Sequence, residues 1–314
     1  MNKELRRVST VVVAMFLALF LSTSVIQVFQ QSELKASEFN VRTLYASFSA
    51  ERGPILVAGS PIAGSRAVPT AFSWQREYSD GPLYSPVTGY FTLDQGTTGI
   101  EFALNDYLSG TADSQFLDRL NAILTGRDPE GAAVELTLDP EVQRAAWDAL
   151  GGLRGAVVAF DPRDGRILAL VSKPTFDPNE LAGHDSSLVI ERYEELLADP
   201  GRPLLNRAIG GDLYHPGSTF KLVMTAAALQ SGEWDGSSRL PNPSSLQLPG
   251  SESVIGNTGG GRCGGGSEVT IADALRLSCN IPFAELGREL GYDRVTAQAA
   301  AFGFGDASLR SPSR

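Results

Sequence analysis

Residues 216–223 read PGSTFKLV, placing Ser218 and Lys221 three apart just behind a Pro-Gly pair. A hydroxyl and an amine at that spacing can form a nucleophile with its own base. The stretch from Thr219 to Gly232 is mostly apolar and has no breaker before its final glycine, so a helix begins at about Ser218. On a helix, residues i and i+3 share a face with β-carbons about 5–6 Å apart, which lets Lys221 reach back to the Ser218 hydroxyl. Flanked by Phe220, Leu222 and Val223, the lysine is expected to be desolvated, which lowers its pKa and frees a lone pair to accept a proton. The helix N-terminus adds partial positive charge where an oxyanion would form. The plainer alternative is an N-cap serine with a lysine snorkelling to water one turn on. Spacing alone does not choose, because Ser32 and Lys35 repeat S-x-x-K in a polar stretch. Two features favour chemistry. Only four lysines stand among the 26 basic residues, so one inside an apolar helix is unusual filler. Ser278-Cys279-Asn280 is the sole S-x-N in the chain; it follows the helix-like IADALRL and could relay protons to a leaving group from a loop between helices.

Other chemistries find no support. There is no G-x-S-x-G elbow, no H-E-x-x-H and no Walker lysine. The two histidines, His184 and His215, are poorly placed for a triad with Ser218, and with two cysteines they make no zinc spacing. Gly259, Gly261 and Gly264 satisfy G-x-G-x-x-G, but no strand before or helix directly after supports a dinucleotide site. No metal and no cofactor is expected. A net charge of −10 disfavours nucleic acid as a partner.

The elements that must carry these residues begin with an uncharged run of 22 residues, 8–29, which at about 1.5 Å per residue covers a hydrocarbon core of roughly 30 Å. Lys3, Arg6 and Arg7 precede it against a single Glu4, placing the N-terminus (1–7) in the cytoplasm and the bulk of the chain outside. The rival reading is a cleaved signal peptide with an apolar core at 11–21 and small residues at Ser22 and Ser24. In either case the two cysteines, Cys263 and Cys279, lie where a disulfide persists, although a pair of free thiols is the alternative. A polar, helical stalk is expected at 30–50. Many turn signals at 51–124 read as irregular and β-rich, with helices near 101–108 and 112–124, and 125–131 reads as a linker. Beyond it, Val134, Leu136 and Leu138 alternate as a half-buried strand, and Asp139-Pro140-Glu141 starts a helix running to Gly151. GAVVAF (155–160) and RILALVS (166–172) form a hairpin expected to be buried on both faces, in a sheet covered by helices. Residues 173–212 are a long, mostly polar excursion, of the kind that is functional or flexible.

S-x-x-K and S-x-N are two of the three signatures of penicillin-binding proteins. The wider text, LTLDPEVQRAAWDAL, GAVVAFDPRDGRILALVSKPTFDPN and NRAIGGDLYHPGSTFKLVMTAAAL, resembles the transpeptidase domain of class B penicillin-binding proteins. RGPI (52–55), YSPVTGY (84–90) and GIEFALNDYLSG (99–110) resemble that family's non-catalytic pedestal, closest to its actinobacterial penicillin-binding protein A branch. The resemblance implies an α+β chain: a membrane helix, a small β-rich pedestal and a transpeptidase domain at 132–314. It implies D,D-transpeptidation of peptidoglycan stem peptides through Ser218, with Lys221 as base, Ser278 passing the proton on, and Asn280 orienting Lys221 and binding the substrate amide. β-Lactams would acylate the same serine, and the pedestal would contact membrane glycosyltransferase and division or elongation partners. None of the four lysines is followed by Ser/Thr-Gly, so the third signature is missing and the chain reads as the front part of a longer protein. A non-catalytic scaffold or sensor is the main rival, and a carboxypeptidase or β-lactamase the second.

Overall fold

The computed structural model describes residues 2–28, 30, 48, 50–70, 72–125, 130–212 and 214–305; the stalk expected at 30–50 and the linker at 125–131 lie largely outside the described residues. Helix α1, Asn2–Val28, displays Phe16, Leu17, Phe20 and Leu21 at its surface, and Leu5–Val28 is long and apolar enough to cross a membrane. Contacts divide the chain into two units, Met1–Ala208 and Ile209–Ser313.

In the first unit, β1 (Ile55–Val57), β2 (Ser60–Ala67) and β3 (Trp74–Tyr78) form an antiparallel sheet, followed by α2 (Gly81–Thr88), α3 (Gly99–Ala103), α4 (Asn105–Leu108) and α5 (Phe116–Thr125). Strand β4 (Val134–Leu136) then returns parallel to β1, giving the order β3-β2-β1-β4. Ile55, Val57, Tyr78, Leu83 and Leu108 fill the core, each large aliphatic side chain contributing roughly 1.5–3 kcal/mol by leaving water. Beside it lies a buried charge cluster: Glu101 accepts from Arg52 Nε and Arg76 Nε, each at 2.6 Å, and from the Tyr78 hydroxyl at 3.2 Å. Burial, with the Glu101 carboxylate adjacent, pushes the Tyr78 phenol well above its ordinary range, so it remains a donor.

Helix α6 (Pro140–Leu150) starts where Asp139 caps it, its carboxylate accepting from Glu141 N–H at 2.9 Å and Val142 N–H at 3.1 Å. It packs on the hairpin of β5 (Gly155–Phe160) and β6 (Ile167–Lys173). The buried Gln143 joins them, meeting both the N–H and the C=O of Leu170 and the C=O of Leu83 on α2. Burial on both faces holds for β6 alone. Val158 and Phe160 on β5 are 42% and 60% exposed, because their face has no covering element among the described residues. The polar excursion after β6 is better ordered than its composition suggests. Asp185 caps α7 (Ser186–Ala198), and Val189 and Leu196 pack with Tyr90, Phe176 and Leu181 in a second core.

The second unit begins with a 3-10 turn at Gly217–Thr219 leading into α8 (Phe220–Ser231). Four short strands follow: β7 (Arg239–Pro241), β8 (Leu246–Gln247), β9 (Val254–Ile255) and β10 (Glu268–Thr270), paired β7 with β10 and β8 with β9. Helices α9 (Ile271–Arg276) and α10 (Ile281–Ala301) complete it. Ala228, Leu240, Ile271, Ala274 and Leu286 form the core, and α8 lies directly on α10. Met224 Cε of α8 lies over Gly287 of α10, in the space a β-carbon there would share. This helix pair decides the geometry of the candidate site.

Candidate active site

Ser218 sits in the exposed 3-10 turn, one residue earlier than the α-helix proper requires for an N-cap, and no side-chain cap bond is formed at this end. Its hydroxyl faces Lys221 instead, with Nζ at 3.3 Å from Oγ. The same Nζ lies 2.7 Å from the Ser278 carbonyl oxygen, 3.2 Å from Ser278 Oγ and 2.8 Å from Asn280 Oδ1. Four acceptors surround a group with at most three protons, so the lysine is held from several sides at once. All four of the residues named from the sequence therefore converge on one amine.

Lys221 is buried and its pKa is lowered, burial being the cause. Its immediate neighbour on the C-terminal side does not cover it. Leu222 is 56% exposed, and the Phe283 ring of α10 lies 5.9 Å from Nζ to its centroid. Residues i±1 on a helix point to other faces, so the helix packed against the lysine contributes to its desolvation.

Ser278 has φ of +56°, in the left-handed region that L-residues avoid. The turn explains it. Ser278 N–H donates to the Leu275 carbonyl at 3.0 Å and Cys279 N–H to the Ala274 carbonyl at 2.8 Å, which is a Schellman stop to α9 with serine in the usual glycine position. A non-glycine residue there costs about 1–2 kcal/mol, and the turn directs both oxygens of Ser278 at Lys221.

The turn is tied from behind. Cys263 and Cys279 are disulfide-bonded across a separation of 16 residues, joining the Gly-rich loop to the S-x-N turn. Removing such a bond is expected to lower stability by about 3 kcal/mol. Mass mapping of natively exported protein without reductant checks the bond: linked peptides containing both cysteines are expected, and two alkylatable thiols would refute it. Two buried asparagines, not identified from the sequence, support the same loop. Asn242 donates to the Cys263 and Gly266 carbonyls and accepts from Cys263 N–H, while Asn257 contacts Asn280 and Ile281. Asn257 stands among glycines and Asn242 between two prolines, and neither context marks it in the sequence. Among the described residues no cluster of three or more His, Cys, Asp or Glu side chains could hold a metal. His184 packs against Phe48 and Phe72 in the first unit, with Nδ1 3.3 Å from Thr70 Oγ1.

Residues 155–312 match the penicillin binding protein transpeptidase domain, and residues 52–134 the penicillin binding protein A dimerisation domain. The chain belongs to the penicillin-binding protein transpeptidase family. Among its curated relatives are the peptidoglycan D,D-transpeptidases PbpA of Mycolicibacterium smegmatis, 42% identical over 308 residues, and of Mycobacterium tuberculosis, 40% identical over 319 residues. The alignments take in 96% and 100% of this chain but 62% and 64% of those proteins, so the chain spans less than two thirds of their length. The structure of M. tuberculosis penicillin-binding protein A as its imipenem acyl-enzyme complex is similar with a TM-score of 0.78 at 40% identity, covering 82% of this chain and 60% of that one. The order of parts in this penicillin-binding protein is the one expected from its sequence: an apolar N-terminal helix, the dimerisation domain and the transpeptidase domain, in an α+β fold.

Proposed function

We propose that this penicillin-binding protein is a peptidoglycan D,D-transpeptidase that works through an acyl-enzyme on Ser218. The observation that carries the reading is Lys221 Nζ set simultaneously against the Ser218 and Ser278 hydroxyls and the Asn280 amide oxygen. Ser218 Oγ attacks the carbonyl carbon of the D-Ala-D-Ala amide while neutral Lys221 takes the hydroxyl proton. The C–N bond breaks, and the lysine proton passes through Ser278 to the departing D-Ala nitrogen. The stem is left as an ester on Ser218. An amine of a second stem then attacks the ester, a cross-link amide forms, and the proton returns to Ser218. Asn280 Oδ1 holds the lysine, and its Nδ2 is anchored on the Gly256 carbonyl at 3.1 Å.

Relatives named as D,D-transpeptidases and related structures captured as β-lactam acyl-enzymes support both the substrate class and penicillins as inhibitors. Helix α1 suits a single membrane anchor with its basic end in the cytoplasm, and residues 51–124 suit a pedestal for a membrane glycosyltransferase or division or elongation partner.

The test is acylation of the natural full-length protein by fluorescent penicillin, followed by the fate of a stem-peptide acyl group. Amide product supports a transpeptidase, free acid a carboxypeptidase, and absence of acylation a scaffold. A pH series adds a sharper expectation. Lys221 must be neutral to act as base, so acylation should rise with pH. Because burial lowers its pKa, the rise should be centred below the ordinary lysine value of 10.5. A rate that does not rise with pH would remove Lys221 from the role of base, and one that climbs only through the ordinary lysine range would refute the lowered pKa.

A further inference from the structure

Asn280 occupies the N-cap position of α10, and asparagine is among the preferred N-cap residues. Its side chain nevertheless makes no cap bond; the amide oxygen goes to Lys221 and the amide nitrogen to the Gly256 carbonyl. Capping the helix and holding the lysine are competing uses of one oxygen. Something else must meet the donors at this helix end.

We propose that Asn257 is a positioning residue that takes over the capping of α10 and so commits the Asn280 amide to Lys221. Asn257 is 7% exposed and lies two residues beyond β9. Its Oδ1 accepts from Asn280 N–H at 2.9 Å and from Ile281 N–H at 3.1 Å, while its Nδ2 donates to the Gly261 carbonyl at 3.1 Å. The next residue, Pro282, has no N–H to satisfy. Two consecutive residues therefore grip Asn280, Gly256 by the side chain and Asn257 by the backbone. Removing the Asn257 oxygen leaves one buried and one part-buried donor unmet. Asn280 is then held only through its amide nitrogen on Gly256, and its Oδ1 loses its fixed place against Lys221.

The proposal rests on the acyl-enzyme reading, and the experiment separates the two. Rates of covalent labelling by a fluorescent penicillin are compared for the full-length protein and for Asn257→Ala, Asn257→Asp, Asn280→Ala and the Asn257→Ala/Asn280→Ala double variant, with thermal unfolding measured in parallel. Asn257→Ala is expected to slow labelling about 100-fold, the scale of a misplaced catalytic contact. Asn257→Asp keeps the accepting oxygen and should recover the rate to within about tenfold of the unsubstituted protein. Because Asn257 acts through Asn280, the double variant should be no slower than Asn280→Ala alone. Three results overturn the role: an unchanged rate in Asn257→Ala, additive losses in the double variant, or a folded Asn257→Asp that has lost labelling. If Asn257→Ala fails to fold, the folded Asn257→Asp still decides between persistence and loss. Failure of the unsubstituted protein to label overturns the acyl-enzyme reading itself, and the positioning role with it.

Discussion

Ser218→Ala is expected to abolish covalent labelling by penicillins, while Ser32→Ala leaves it intact. Both serines begin an S-x-x-K; Ser218 is placed against a buried amine, and Ser32 lies outside the described residues. Lys221→Met should leave the nucleophile in place without its base and slow acylation by about 10² to 10⁴, the usual contribution of a positioned base. Lys221→Arg should be equally impaired, because a guanidinium does not give up its proton at any workable pH and its planar fork does not fit four acceptors arranged around one nitrogen. The measurement is the rate of fluorescent-penicillin incorporation on a gel, in the natural full-length protein. Persistent labelling of Ser218→Ala would sink the nucleophile assignment, and an active Lys221→Arg would sink the lysine's role as base.

Glu101→Gln is expected to cause a large loss of stability in the first unit. Its carboxylate is fully buried and stands between two guanidiniums that are themselves 3% and 1% exposed. Two cations against one anion already leave the cluster net positive, and Arg76 Nη2 has no hydrogen-bond partner among the described residues. Burial lowers the Arg52 pKa, and the Glu101 charge is the main influence opposing that change. Without the anion, two buried cations face each other across 2.6 Å hydrogen bonds that have lost their charge-assisted partner. Breaking a buried pair in this way typically costs about 3–5 kcal/mol, a large share of the 5–15 kcal/mol by which domains are stable. The unfolding midpoint should drop by many degrees. Glu77→Gln is the control: its partner Arg66 is 3.6 Å away and both side chains are more than half exposed, so little change is expected. Equal effects from Glu101→Gln and Glu77→Gln would refute the structural weight given to the buried cluster.

The sequence determined what depends on neighbours a few positions away. Asp139 before Pro140 starts a helix because a carboxylate caps the N–H groups two and three residues on, and that is legible in four letters. The same holds for the hairpin around DPRDG and for Ser218 and Lys221 sharing one helical turn. Longer stretches also carried the family and the order of its domains. What only the tertiary structure decided is how residues distant along the chain satisfy one another. Lys221 meets Asn280 across 59 positions, Asn257 meets Asn280 across 23, and Arg52 meets Glu101 across 49. The Phe283 ring near Lys221 is supplied by a different helix, and the left-handed turn at Ser278 carries no glycine to announce it. Local propensity leaves a periodic or positional mark on the sequence. A hydrogen bond closed by packing two helices and a loop leaves none, because its partners are chosen by where the chain folds back and not by what precedes them.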